Sequence, residues 1–260
     1  MLPLLLTIIC STSIALILKQ NDVQKGTPIV LLNANYFVAF LISALFLIFE
    51  SETKFSLFTF VFGMLLALIF VLSFFAFAKA VSSAGTALAS LSSRLSVIVP
   101  VTFSMLFFYE IPNSYQTFGL LFALMTIIFF YFSVKNMAVG KFKSEGYVYL
   151  IAVLEKPFFL FVIFFFSFLY TLALIFSKKV KIKKPDFYRG MILGVPNVFS
   201  TFFLLSALAR LPAIIVYPVV NIGIILLTTI SAAIIWKEKL DSYGIGALTF
   251  GVIAIVFLGM

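Results

Sequence analysis

Histidine is absent from this sequence, cysteine occurs once, at Cys10, and charged residues fill only 10% of its 260 positions. With a lone cysteine no intrachain disulfide can form. A zinc site is excluded in practice, because its nitrogen and sulfur ligands are missing. The acidic residues number nine, and each sits near the end of an apolar run rather than inside one. That leaves no carboxylate pair, metal cluster or His-based acid–base couple within the apolar segments. The chain is expected not to be an enzyme and to need no cofactor and no metal. A soluble domain carries about 25% charged residues, so a soluble fold is excluded as well.

What remains is apolar. Hydrophobic residues make up 63% of the chain, and phenylalanine alone supplies 35. Nine runs are long enough to cross a bilayer as helices: 2–18, 28–49, 55–80, 84–109, 115–134, 156–176, 190–208, 213–236 and 243–259. The breaks carry charges and turn residues, as in "KQNDVQKGTP", "EIPNS" and "KKVKIKKPD". Strands of a membrane barrel would alternate in polarity over about 10 residues, and no such alternation is present. The fold class is therefore all-α, a polytopic membrane helix bundle. The first run has no basic segment before it and reads as a membrane helix rather than a signal peptide.

The net charge of +9 sits mainly in loops. It reports membrane topology rather than a nucleic-acid partner. Lys178, Lys179, Lys181, Lys183, Lys184 and Arg189 crowd the loop 177–189, which reads as cytoplasmic. With nine spans, the N-terminus then lies inside and the C-terminus outside.

The chain also repeats itself. "FGMLLALIFVLSFFAFAKA" (62–80) matches "RGMILGVPNVFSTFFLLSA" (189–207) at an offset of 127, and "YEIPNSYQTFG" matches "KEKLDSYGIGA" at 128. Residues 1–135 form a first repeat of five helices and 156–260 a second of four. Between them, 136–155 reads as a polar loop with a short interfacial piece, since the eight residues "YVYLIAVL" rise only about 12 Å. Five helices plus four make the repeats parallel, so that the second helix and the sixth cross in the same direction.

Inside the fourth run lies Arg94. Facing lipid at mid-helix it would cost about 2.5–3.5 kcal/mol, so it must meet protein or a wet cavity. Ser90 lies one turn before it on the same face. The offset takes Arg94 to Asn221, and Tyr217, Asn221 and Thr228 form a polar stripe on the eighth run. The two stripes are candidates to line one cavity, with Arg94 holding a carboxylate or phosphate through paired N–H donors. The alternative is that Arg94 bonds carbonyls freed by Pro100 or bridges helices, and that Asn221 only joins helices. Asn35 and Tyr36 are further candidates. Asn33, nearer the membrane edge, reads as a loop-side group. Asn197 either satisfies carbonyls freed at Pro196 or contacts substrate. Glu110 and Glu238 read as structural caps. Ala247 and Gly251 form a small-xxx-small pair, compatible with a monomer or a weak homodimer.

The segment "ALARLPAIIVYPVVNIGIILLTTISAAIIWKEKLDSYGIGALTFGVIAIVFLG" (207–259) has a short turn, a helix opening through a proline, a lysine–glutamate pair and a glycine-rich last helix. In this it resembles the EamA-like branch of the drug/metabolite transporter superfamily, and the first repeat shows the same order in weaker form, ending at Glu110. The resemblance implies two inverted repeats around a central substrate cavity, typically with ten helices; this chain lacks the sixth. It implies a multi-pass protein of the cytoplasmic (inner or plasma) membrane. Its expected function is a secondary transporter or exporter of a small organic metabolite, with the bilayer and that solute as partners. The missing helix keeps a second reading open, a non-transporting membrane paralogue or subunit.

Overall fold

The computed structural model describes residues 2–49, 56–84, 101, 104–106, 109–134, 156–237 and 242–258. Eight helices stand among them: α1 (Leu2–Val23), α2 (Pro28–Phe49), α3 (Leu57–Ala84), α4 (Ser114–Val134), α5 (Lys156–Ser177), α6 (Lys184–Leu208), α7 (Ala213–Trp236) and α8 (Ser242–Leu258). No strand occurs among the described residues. Six helices are long and apolar enough to cross a membrane, namely α1, α2, α6, α7, Leu57–Ser82 of α3 and Pro157–Ser177 of α5. Helical backbone suits a bilayer, because every N–H and C=O along a helix is satisfied within its own segment.

Two helices extend furthest beyond their apolar runs. α1 continues through Lys19 to Val23, and α6 begins at Lys184 rather than 190. Pro185 presets the first turn of α6. There Asp186 is buried, accepting the Thr27 N–H at 2.8 Å and an Arg189 Nη1–H at 3.2 Å. The same Arg189 atom donates to Asn21 Oδ1 at 3.2 Å. The turn after α1 and the turn before α6 are thus tied together on one face of the bundle. The nine-span count expects those two turns on opposite sides of the membrane.

Side-chain pairing fixes the direction of each helix. Asn33 of α2 reaches Phe168 and Thr171 of α5, while Phe40 stacks near Phe161 and Phe165. α2 and α5 therefore run antiparallel, not in the same direction as the five-plus-four count requires. α4 and α8 are also antiparallel, with Phe118 beside Phe257 and Phe129 beside Tyr243. α2 runs along α6, from Leu31 near Gly190 to Phe46 near Phe202. α1 opposes α6, with Asn21 at Arg189 and Leu4 and Ile8 packed with Ala207. In sum α1, α3, α4, α5 and α7 point one way, and α2, α6 and α8 the other.

The core is a Phe-rich wedge between α2, α3, α5 and α6, centred on Tyr36, Phe159, Phe164, Leu31 and Leu193. A second cluster joins α1 to α7 through Leu4, Ile8, Val216, Val220 and Ile224. The outward faces carry Leu, Ile, Val and Phe in the open, as lipid-facing surfaces do.

Candidate functional site

Arg94 and Ser90, with Pro100, lie outside the described residues. What can be built is the ground around them. Val101 packs with Ile214 and Tyr217 at the start of α7, and Met105 joins the same cluster. Glu110 follows, and its carboxylate accepts the N–H groups of Ala213 at 3.1 Å and Ile214 at 2.9 Å. The N-cap of α7 is Pro212, which offers no side-chain bond. Glu110 supplies it from elsewhere in the chain, with its charge at the positive end of the helix dipole. The carboxylate is a cap, though of a distant helix.

Tyr217, Asn221 and Thr228 lie on one stripe of α7, as their spacing requires. Tyr217 is buried and Asn221 half-buried. The Asn221 carboxamide donates to Tyr217 O at 2.7 Å, one turn back on its own helix. Thr228 is fully buried, and its hydroxyl has no partner among the described residues. In a membrane helix a threonine normally returns its hydroxyl to the carbonyl one turn back, as Thr126 and Thr171 do here. Thr228 does not.

Asn35 and Asn197 are brought together. Asn197 Nδ2 donates to Asn35 Oδ1 at 3.1 Å, both residues being almost wholly buried. The Asn197 amide thus goes across to α2 rather than to a carbonyl opened by Pro196. Asn35 Nδ2 is left unpartnered among the described residues, as is the Thr12 hydroxyl of α1. Register places these groups at one depth. Thr12 is one turn past Ile8, which packs on Gly223 of parallel α7, so Thr12 stands level with Leu227 and Thr228. Along antiparallel α6 the same level falls near Asn197 and Ser200. An unpaired buried N–H or O–H costs about 1–3 kcal/mol; these gather at mid-bundle among α1, α2, α6 and α7.

Tyr36 belongs elsewhere. It is fully buried against Phe70 and Phe74 of α3, and its hydroxyl donates to Phe70 O at 3.4 Å. Asn33 is a buried bridge to α5 rather than a loop-side group. Sequence reasoning missed Asp186, which sits in a stretch so rich in lysine that it reads as solvated loop.

No protein-family model matches the chain. An uncharacterized protein of Haemophilus influenzae is 26% identical over 217 aligned residues, covering 75% of this chain and 72% of that protein. A protein in a solved crystal structure superposes with a TM-score of 0.71 on 98% of this chain and 94% of its own, at 15% identity. That likeness is one of fold.

Proposed function

We propose that this chain is a secondary transporter of a small organic metabolite carrying an anionic group, built from two inverted five-helix repeats around a polar path. The observation that carries this reading is the pairing of α2 against α5 and of α4 against α8, each antiparallel. The repeat offset makes each pair one helix and its own counterpart. Repeats whose equivalent helices oppose each other are the arrangement from which many secondary transporters are made. Two local features agree. Tyr109 and Lys237, equivalent by the offset of 128, both adopt left-handed backbone, at φ 53° and 54°. Gly63 and Gly190, equivalent by 127, both lie where the third helix of one half meets the second helix of the other.

The same directions bear on the missing helix. α4 and α5 point the same way, so the 21 residues 135–155 have to connect opposite faces of the bundle. As helix they would span about 31 Å, close to the hydrocarbon thickness of about 30 Å. A tenth crossing there would complete the second repeat, and the non-transporting alternative rests on that helix being missing. It also gathers the basic residues. Lys25, the 178–184 lysines, Arg189 and Lys237 share one face, and Arg210 and the start of α5 at Lys156 lie on the other. The basic face is then cytoplasmic and the N-terminus lies opposite.

The polar path runs between α1, α2, α6, α7 and the helix expected over 84–109. Arg94 is seven residues before Val101, two helical turns, and Val101 touches Tyr217 at the head of the α7 stripe. A guanidinium at that level would meet Asn221 and Thr228 and offer paired donors to a carboxylate or phosphate. Among the described residues no carboxylate lies at mid-span, which disfavours cationic cargo; Glu145, in the middle of 135–155, is outside them.

The test is uptake of a panel of labelled small organic acids into liposomes. Arg94→Ala is expected to cut uptake about tenfold to a hundredfold; unchanged uptake removes the arginine from the mechanism. In a Cys10→Ser background, single cysteines at Ala138 and Glu155 should label from opposite sides. Labelling from one side overturns the ten-crossing reading.

A further inference from the structure

We propose that the basic face is a built binding surface for the headgroups of anionic phospholipids, not only a topology signal. Five lysines, Lys178, Lys179, Lys181, Lys183 and Lys184, stand exposed within seven residues between α5 and α6. Lys25, also exposed, comes from the turn after α1. The two turns form one plate, because Asp186 accepts the Thr27 N–H and Arg189 bonds both Asn21 and Asp186. The carboxylate at its centre is thus buried and spent, and the outer surface, where half-buried Asp22 stands against six exposed lysines, is left cationic.

The backbone under these lysines is informative. Lys25, Lys179 and Lys237 all lie in the left-handed region, at φ 50°, 48° and 54°. Each follows the C-terminus of a helix, α1, α5 or α7, on this same face. Glycine is the residue that fits such a position without strain. A lysine there is kept against a backbone cost. A charge near a helix C-terminus gains something from the dipole, but that gain needs no further lysines at 181, 183 and 184. Inserting the chain in the right orientation needs positive loops, not positive residues in strained places.

Around the plate, Val23, Phe176, Ile182 and Tyr188 are 51%, 73%, 59% and 62% exposed. Apolar and aromatic side chains at the lysines' level anchor the turn among acyl chains and headgroups. The lysine ammoniums then lie at the phosphate layer, where each gains from anionic lipid. On the opposite face Tyr109, the counterpart of Lys237, is aromatic and 82% exposed.

The experiment uses the full chain purified in detergent. Thermal melting is followed while phosphatidylglycerol, phosphatidylcholine or inorganic phosphate is added, and retained lipid is read by native mass spectrometry. Phosphatidylglycerol alone is expected to raise the melting temperature and to be retained. The variant K178Q/K179Q/K181Q/K183Q/K184Q should bind it about tenfold more weakly or worse, and Arg210→Gln should bind as the wild type does. A second variant, K25G/K179G, relieves the left-handed strain. It should melt higher in phosphatidylcholine yet gain less from phosphatidylglycerol. An equal response to phosphatidylcholine, an effect matched by inorganic phosphate, or an undiminished response in either lysine variant overturns the proposal.

Discussion

The crossing of α2 with α6 and the crossing of α3 with α5 are paired by the repeat offset, yet they are made of different materials. At the first, two glycines bring backbone to backbone. A Cβ on Gly190 would strike Leu31 O, and one on Gly194 would come within 2.6 Å of Asn35 O. One turn on, the Asn35–Asn197 bond closes the contact. At the second, a single glycine, Gly63, meets only a side chain, with Val162 Cγ1 at 2.8 Å from an added Cβ. The space beyond is filled by rings, with Phe70 set edge-on to Phe164 and Phe60 edge-on to Phe166. Its polar links are long, Tyr170 to Met64 O at 3.3 Å and Ser167 to Ala67 O at 3.4 Å. In lipid, apolar helices gain little by leaving their solvent, and close backbone approach supplies the attraction instead. The first crossing is therefore the spine of the bundle, and the second is the one able to slide.

Gly190→Val tests the spine and should have the largest effect. The new side chain meets a carbonyl held in the α2 helix, which cannot turn aside as a side chain can. Overpacking of this kind reaches about 3 kcal/mol and occasionally more. Little monodisperse protein should survive detergent extraction, as judged by size-exclusion chromatography. Recovery equal to wild type would mean that α2 and α6 are not in backbone contact.

Gly63→Val applies the same change to the other crossing. Here the obstacle is a valine methyl among phenylalanines that can re-seat. A loss of about 1 kcal/mol is expected, seen as a modest fall in melting temperature with normal recovery. If the two glycine variants fall equally, the contrast between spine and sliding joint is gone.

How much of this was legible in the sequence depended on what each residue has to choose. The apolar runs located all eight described helices, since a run of phenylalanine and leucine has few alternatives in a bilayer. The start of α6 was missed by six residues because "KKPDFY" reads as solvated loop. Only the fold shows that Asp186 is sheltered by Thr27 and Arg189. Helix direction was legible within each repeat but not between the two, because that turns on whether 135–155 crosses, and "KNMAVGKFKSEGYVYLIAVLE" has the composition of neither a clear span nor a clear loop. Polar residues could be listed but not paired. Asn33 near an edge and Asn35 two positions on look alike in sequence. They lie on different sides of α2, one turned to α5 and the other to α6.

The smallest effect is expected at the asparagine pair, and its sign pattern is what matters. Interhelical hydrogen bonds in membranes contribute about 0.6 kcal/mol on average, so Asn197→Leu should lower the melting temperature only slightly through the lost bond. It also leaves Asn35 Oδ1 unpaired in a fully buried place, beside an Nδ2 that already has no partner among the described residues, which adds the cost of an orphaned acceptor. Replacing both residues removes that cost. The double variant Asn35→Leu/Asn197→Leu should therefore melt higher than Asn197→Leu alone, although it carries one more substitution. Additive losses in a double-mutant cycle would show that Asn35 finds a new partner once Asn197 is gone. The α2–α6 crossing would then owe its tightness to Gly190 and Gly194 alone.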